Sequence, residues 1–84
     1  MSSSRQINVR FFAILREQAG ASTLKIETSA PDAAALYAEL QGRHPGLTFP
    51  ATLLRVSVNE RYVDLTAPLA AGDRVVFIPP VAGG

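Results

Sequence analysis

Polar and apolar residues alternate along Ile7-Asn8-Val9-Arg10-Phe11, and the strand period is carried on through the apolar Phe12-Ala13-Ile14. The alternation puts Ile7, Val9, Phe11 and Ala13 on a face suited to a core, with Asn8, Arg10, Phe12 and Ile14 opposite. Gly20, among small residues, marks a turn before a second run, Thr23-Leu24-Lys25-Ile26-Glu27. There Leu24 and Ile26 share one face, while Lys25 and Glu27 face water. The two runs predict an antiparallel hairpin with a long loop.

The period then changes. Ala33, Leu36, Tyr37 and Leu40 recur at helical spacing and form one apolar stripe, a packing face in which Tyr37 is a core residue. Ser29 before Ala30-Pro31-Asp32 predicts the start of that helix: a serine cap, a proline in the first turn and an acid at the positive end. Pro45-Gly46 ends it by His44.

Alternation returns in Leu54-Arg55-Val56-Ser57-Val58, with Leu54, Val56 and Val58 inward and Arg55 and Ser57 outward. Asn59-Glu60-Arg61 predicts a turn and Tyr62–Leu65 a short strand, and Ala71-Gly72-Asp73 leads into a last strand, Arg74–Ile78. The order β-β-α-β-β-β leaves one helix to cover one face of a sheet, with the other face open. This is an α+β pattern: a ubiquitin-like β-grasp, with a mixed sheet of about five strands, one main helix on one face and a free extended C-terminal tail. No repeat or linker interrupts it, so residues 1–84 read as a single domain, with residues 1–6 a disordered N-terminus and 79–84 the tail.

Composition narrows the function classes. The chain has 84 residues, a formal net charge of +1 and no cysteine, so its small core must hold without disulfides or a thiolate metal site. Basic and acidic residues are interspersed rather than gathered into a stripe, which argues against a nucleic-acid partner. The apolar run Phe11–Leu15 is too short for a signal-peptide core or a membrane span, and the expected location is the cytoplasm. The single histidine, His44, stands beside Pro45 without a cluster of ligands, so neither a metal site nor a catalytic histidine is expected.

The chain end carries the one chemical signal. Pro79 and Pro80 have no N–H for a ladder and should release the chain from the sheet after Ile78. Val81-Ala82-Gly83-Gly84 then shrinks to bare backbone that a narrow channel can admit, and can reach roughly 13 Å. Its terminal carboxylate is ionised at neutral pH. Taken alone, a Gly-Gly end is a weak signal, because chain ends are commonly small and disordered.

Several segments together resemble a known family. Val9–Glu17, Val58-Asn59, Pro68–Val75 and Phe77–Gly84 are similar to the small subunit of molybdopterin synthase (the MoaD type), a ubiquitin-like sulfur carrier, over almost the whole chain after Gln6. The double proline before Gly-Gly is the most specific part. Sulfur carriers for thiamine and cysteine synthesis share the fold and the Gly-Gly end. The resemblance implies that a partner adenylyltransferase activates the Gly84 carboxylate with ATP and magnesium. A thiocarboxylate then forms at Gly84, with Gly83 as its slim approach. It further implies a large subunit, in a heterotetramer, that receives the tail and supplies the catalytic side chains, so that sulfur passes to a cyclic pyranopterin. No cofactor is expected on this chain itself.

Parity suggests where partners dock. Asn8, Arg10, Arg55, Ser57 and Arg74 share the outward side with the large apolar residues Phe12 and Ile78, joined by Tyr62. The expected partner-binding set is Phe12, Tyr62, Ile78, Pro79, Pro80, Val81 and Ala82. Two other classes fit the same features: a ubiquitin-like modifier joined to lysines through Gly84, and an interaction domain with an inert tail.

Overall fold

A computed structural model of the chain describes residues 4–80. Its elements are β1 (Arg5–Phe11), α1 (Ile14–Ala19), β2 (Thr23–Thr28), α2 (Ala33–Arg43), a 3-10 turn (Ala51–Leu53), β3 (Arg55–Val58), β4 (Arg61–Val63) and β5 (Arg74–Ile78). The strands form one mixed sheet in the order β2-β1-β5-β3-β4. Strand β5 is central, parallel to β1 and antiparallel to β3. This is the β-grasp that the sequence pattern predicts.

Register decides which residues share a face. One row crosses all five strands as Leu24, Val9, Val75, Val58 and Arg61, and a second joins Phe11, Phe77, Val56 and Val63. These rows, with Ile7 and Ile26, face α2, whose Ala33, Leu36, Tyr37 and Leu40 are all buried. Phe77 is the hub: its ring stacks on Phe11 at 6.3 Å and meets Tyr37 at 5.1 Å. The buried cluster is the main stabilising element, because each such side chain contributes about 1.5–3 kcal/mol when removed from water.

Four local expectations are corrected. The first strand does not run on to Ile14. It stops at Phe11, and Ala13, expected on the core face, is exposed with φ 53°. That backbone turns the chain into α1, which buries Leu15 and ends at Gly20 with φ 77°. The predicted long hairpin loop is therefore a short helix.

The N-terminal boundary also moves. Arg5 and Gln6, expected in a disordered terminus, belong to β1. The Arg5 guanidinium donates to the carbonyls of Thr28 and Leu69, both at 3.0 Å, and so ties the strand end to two segments. Third, the cap of α2 is Asp32 rather than Ser29: its Oδ1 accepts from the Ala35 N–H at 2.8 Å. Ser29 is exposed, and the nearby Ala30 N–H is bound by Thr28 Oγ1. Pro31 thus precedes the cap instead of standing inside the first turn. The helix ends at His44 as expected, where the cap N–H bonds to the Leu40 carbonyl.

Fourth, β4 is only Arg61–Val63, shorter than the expected Tyr62–Leu65 strand and offset from it. The turn before it uses left-handed backbone at Asn59 (φ 52°) and Glu60 (φ 72°), the geometry that matches the twist of paired strands.

Candidate functional site at the strand exit and the open face

The exit of β5 is built from the middle of the sheet. Val75 and Phe77 point into the core by strand parity, and Pro79 continues that parity and is buried. Pro80 is exposed. The expectation that the chain leaves the fold at Pro79 is therefore shifted by one residue: the ladder ends at Ile78, while Pro79 still packs inward. A rigid central strand followed by a buried proline fixes where and in which direction the chain emerges. Gly83, Gly84, Val81 and Ala82 lie outside the described residues.

The sheet face opposite α2 presents a second set of rows. Thr23, Arg10, Val76, Ser57 and Tyr62 cross all five strands, and Lys25, Asn8 and Arg74 form the neighbouring row over β2, β1 and β5. Arg55 pairs with Ile78 nearer the exit. Tyr62 is 70% exposed and Phe12 is 40% exposed, while Ile78, in the central strand, is half-buried. Ser57, read as outward, does lie on this face but is buried between its neighbours there. The Arg10 guanidinium rests over the Phe12 ring at 4.9 Å, a cation–π contact that holds the ring at the edge of the strand. Phe12, Tyr62 and Ile78 are thus brought to one face, with the exit at its border.

Sequence reading missed two exposed apolar residues near this border, Ile14 at the start of α1 and Leu53 in the 3-10 turn. Parity puts Ile14 on the outward side, and it is exposed, but at the start of a helix rather than in a strand, and it stands outside the expected partner-binding set. It also missed the anchoring of β5 at its other end. Asn59 Oδ1 accepts from the Arg74 N–H at 3.0 Å, and Asp73 Oδ2 accepts from the Ala70 N–H at 2.8 Å.

Tyr37 donates its hydroxyl to the Phe49 carbonyl at 2.8 Å, and burial raises its pKa above the usual 10.0, so it stays a neutral packing residue and donor. Among the described residues no group of three His, Cys, Asp or Glu side chains is placed to hold a metal. No described helix is long and apolar enough to cross a membrane.

Residues 9–84 match the ThiS family. The chain belongs to that family. Its relatives include the molybdopterin synthase sulfur carrier subunit of Escherichia coli K12. The two are 35% identical over 80 residues, covering 93% of this chain and 99% of the relative. Among solved structures, the small archaeal modifier SAMP1 of Haloferax volcanii superposes with a TM-score of 0.78 at 28% identity, covering 94% of this chain and 99% of that one. A chain in the complex of subunits 1 and 2 of the Helicobacter pylori molybdopterin-converting factor gives 0.67 at 30% identity, covering 94% of this chain and 99% of that one. In this ThiS-family chain the β5 exit borders the open face of a β-grasp body.

Proposed function

We propose that this chain is the sulfur carrier subunit of a molybdopterin synthase. The observation that carries the reading is the match, along essentially its full length, to relatives that bear that name. The geometry supports it, because a β-grasp body that delivers its chain from a central strand suits a carrier whose end must enter other proteins.

In this reading an adenylyltransferase uses ATP and magnesium on the Gly84 carboxylate. A carboxylate oxygen attacks the α-phosphorus, pyrophosphate leaves, and the acyl-adenylate now has AMP as a good leaving group. A sulfur donor displaces AMP to give the thiocarboxylate. That sulfur then attacks a carbon of a cyclic pyranopterin on the large subunit, and a C–O bond of that carbon breaks with the oxygen as leaving group. Water hydrolyses the resulting thioester, which leaves the sulfur on the pterin and returns the Gly84 carboxylate. Every acid, base and metal for these steps belongs to the partners, in keeping with the lack of cysteine. Gly83 gives the channel no side chain to meet. Phe12, Tyr62, Ile78 and Pro80, followed by Val81 and Ala82, form the surface that docks, while the buried Pro79, expected among them, sets the direction of the exit instead. The large subunit is the one partner, in a heterotetramer, and the activating enzyme the other. An ATP-dependent activation and an oxidisable thiocarboxylate suit the cytoplasm.

Reconstitution tests the reading. The chain charged with sulfur, mixed with a molybdopterin synthase large subunit and a cyclic pyranopterin, is expected to yield the dithiolene product with one sulfur lost per chain. Absence of product with a charged chain and an active large subunit rejects it.

The likeness to SAMP1 favours a second reading, a modifier that forms amides with lysines. The activated intermediate is the same, and only the acceptor differs, so a branched lysine adduct on another protein would select it.

A further inference from the structure

The open face has a basic half as well as an apolar one. Lys25, Asn8 and Arg74 are register partners across β2, β1 and β5, and Arg10 stands in the next row of the same face. With Glu60 they line a groove of about 530 Å³. Three cations oppose one carboxylate there, a net charge of +2 in a protein whose total is +1. Arg74 is already bonded to Glu60 at 3.1 Å. Among the described residues Arg10 and Lys25 form no ion pair.

The fold does not require this arrangement. Exposed sheet positions are satisfied by any β-forming side chain, and like charges at close range repel. We propose that the groove lined by Arg10, Lys25 and Arg74 seats an acidic segment of the large subunit and steers it to the open face. This rests on the reading above that a large subunit is the partner.

Three features favour a protein segment over a small anion or a nucleic acid. Lys25 and Arg74 stand two strand spacings apart, about 10 Å, a separation that carboxylates spaced along a segment match better than one compact anion does. Backbone N–H groups in the middle of the sheet are used by the ladder, leaving no nest of donors to cradle a phosphate. The groove holds no aromatic platform for bases, and it contains the Glu60 carboxylate, which repels a polyanion. Acidic side chains spaced along an extended segment match separated cations. The surface is also continuous with the apolar half, since Arg10 reaches over Phe12.

The proposal makes a kinetic distinction. Exposed charges act mainly on the association rate and are screened by salt, whereas buried apolar contacts act on dissociation. The test is the association rate of the full chain with purified large subunit across a salt series. Arg10→Gln combined with Lys25→Gln leaves the Arg74–Glu60 pair intact. It should slow association about tenfold at low salt, with the difference shrinking to about twofold or less near 0.5 M salt. Lys25→Glu alone should slow it further than Lys25→Gln, without touching the Phe12 contact. Arg16→Gln, on α1, should leave the rate within about twofold.

Association rates and salt slopes unchanged in both Lys25 variants overturn the proposal and leave the carrier reading standing. Stoichiometric binding of inorganic phosphate, or of a single-stranded oligonucleotide, that is lost in Lys25→Gln overturns it in favour of those ligands. Failure of the unaltered chain to bind the large subunit at any salt removes the carrier reading itself, and this proposal with it.

Discussion

Asn59 and Asp73, fourteen residues apart in the chain, are joined side chain to side chain: Asn59 Nδ2 donates to Asp73 Oδ1 at 2.9 Å. The same two residues bind backbone on either side of the β5 start, through the Arg74 N–H, the Ala70 N–H and the Arg74 carbonyl, which accepts from the Asn59 N–H at 2.9 Å. The strand that delivers the chain end is therefore fixed at its far end by a clamp on the β3–β4 turn.

Breaking the clamp should cost stability in a coupled way. Asn59→Gly keeps the left-handed backbone and loses the side-chain bonds, an expected loss of about 1–2 kcal/mol. Asn59→Ala should cost about 1 kcal/mol more, because alanine resists φ 52°. Asp73→Ala combined with Asn59→Gly should cost less than the sum of the two, since they share a bond. Denaturant titration of the unaltered chain, the three single variants and the double variant measures this; strict additivity would mean the two side chains act independently.

Tyr37 supplies a prediction in pH. Its pKa is raised in the fold by burial, so the neutral hydroxyl is favoured there. A raised pKa gives stability that is complete below the unfolded value near 10.0 and is lost as pH rises through the folded value. Tyr37→Phe should lose about 1 kcal/mol at neutral pH through the bond to Phe49, and should show a shallower decline of stability above pH ~10. Parallel melts at neutral and alkaline pH check both parts.

Two glycines should respond in opposite directions. A Cβ on Gly46 would lie 2.8 Å from the Gln18 carbonyl oxygen, a backbone atom that cannot swing away. Gly46→Ala should destabilise by about 1–3 kcal/mol. Gly42 is in α2 with nothing within 4 Å of such a Cβ, so Gly42→Ala should stabilise by about 0.5–1 kcal/mol. Thermal melts that moved the same way for both would contradict the packing described between α1 and the loop after α2.

Much of this was legible because the strands alternate cleanly. Val9, Phe11, Val56, Val75 and Phe77 sit where parity puts them, and the α2 stripe is the buried one. What was not legible depends on contacts between distant segments. Nothing local to Ala13 announces a positive φ, and Phe11–Leu15 reads equally well as strand or helix. Ser29 and Asp32 are both competent caps, and only the side-chain bond to Ala35 distinguishes them. Register is a property of pairs, so the row that joins Lys25, Asn8 and Arg74 could not be read from any one strand. The same holds for Pro79, whose burial needs the core beneath it.

The open face should separate binding from folding. Phe12 lies at the surface, so Phe12→Ala should leave the melting temperature within a few degrees of the unaltered chain. Affinity for the large subunit should fall by roughly ten- to a hundredfold. Tyr62→Ala should behave alike. A large drop in melting temperature with unchanged affinity would place these residues in the core instead.

The central claim is that the chain end carries sulfur, and intact mass of the chain after incubation with an activating enzyme, ATP, magnesium and a sulfur donor tests it most directly. The account predicts a gain equal to one oxygen exchanged for sulfur, located at Gly84 and lost when Gly84 is deleted from a chain that still melts normally. An unchanged mass with a demonstrably active enzyme, or sulfur retained after Gly84 is removed, would contradict it.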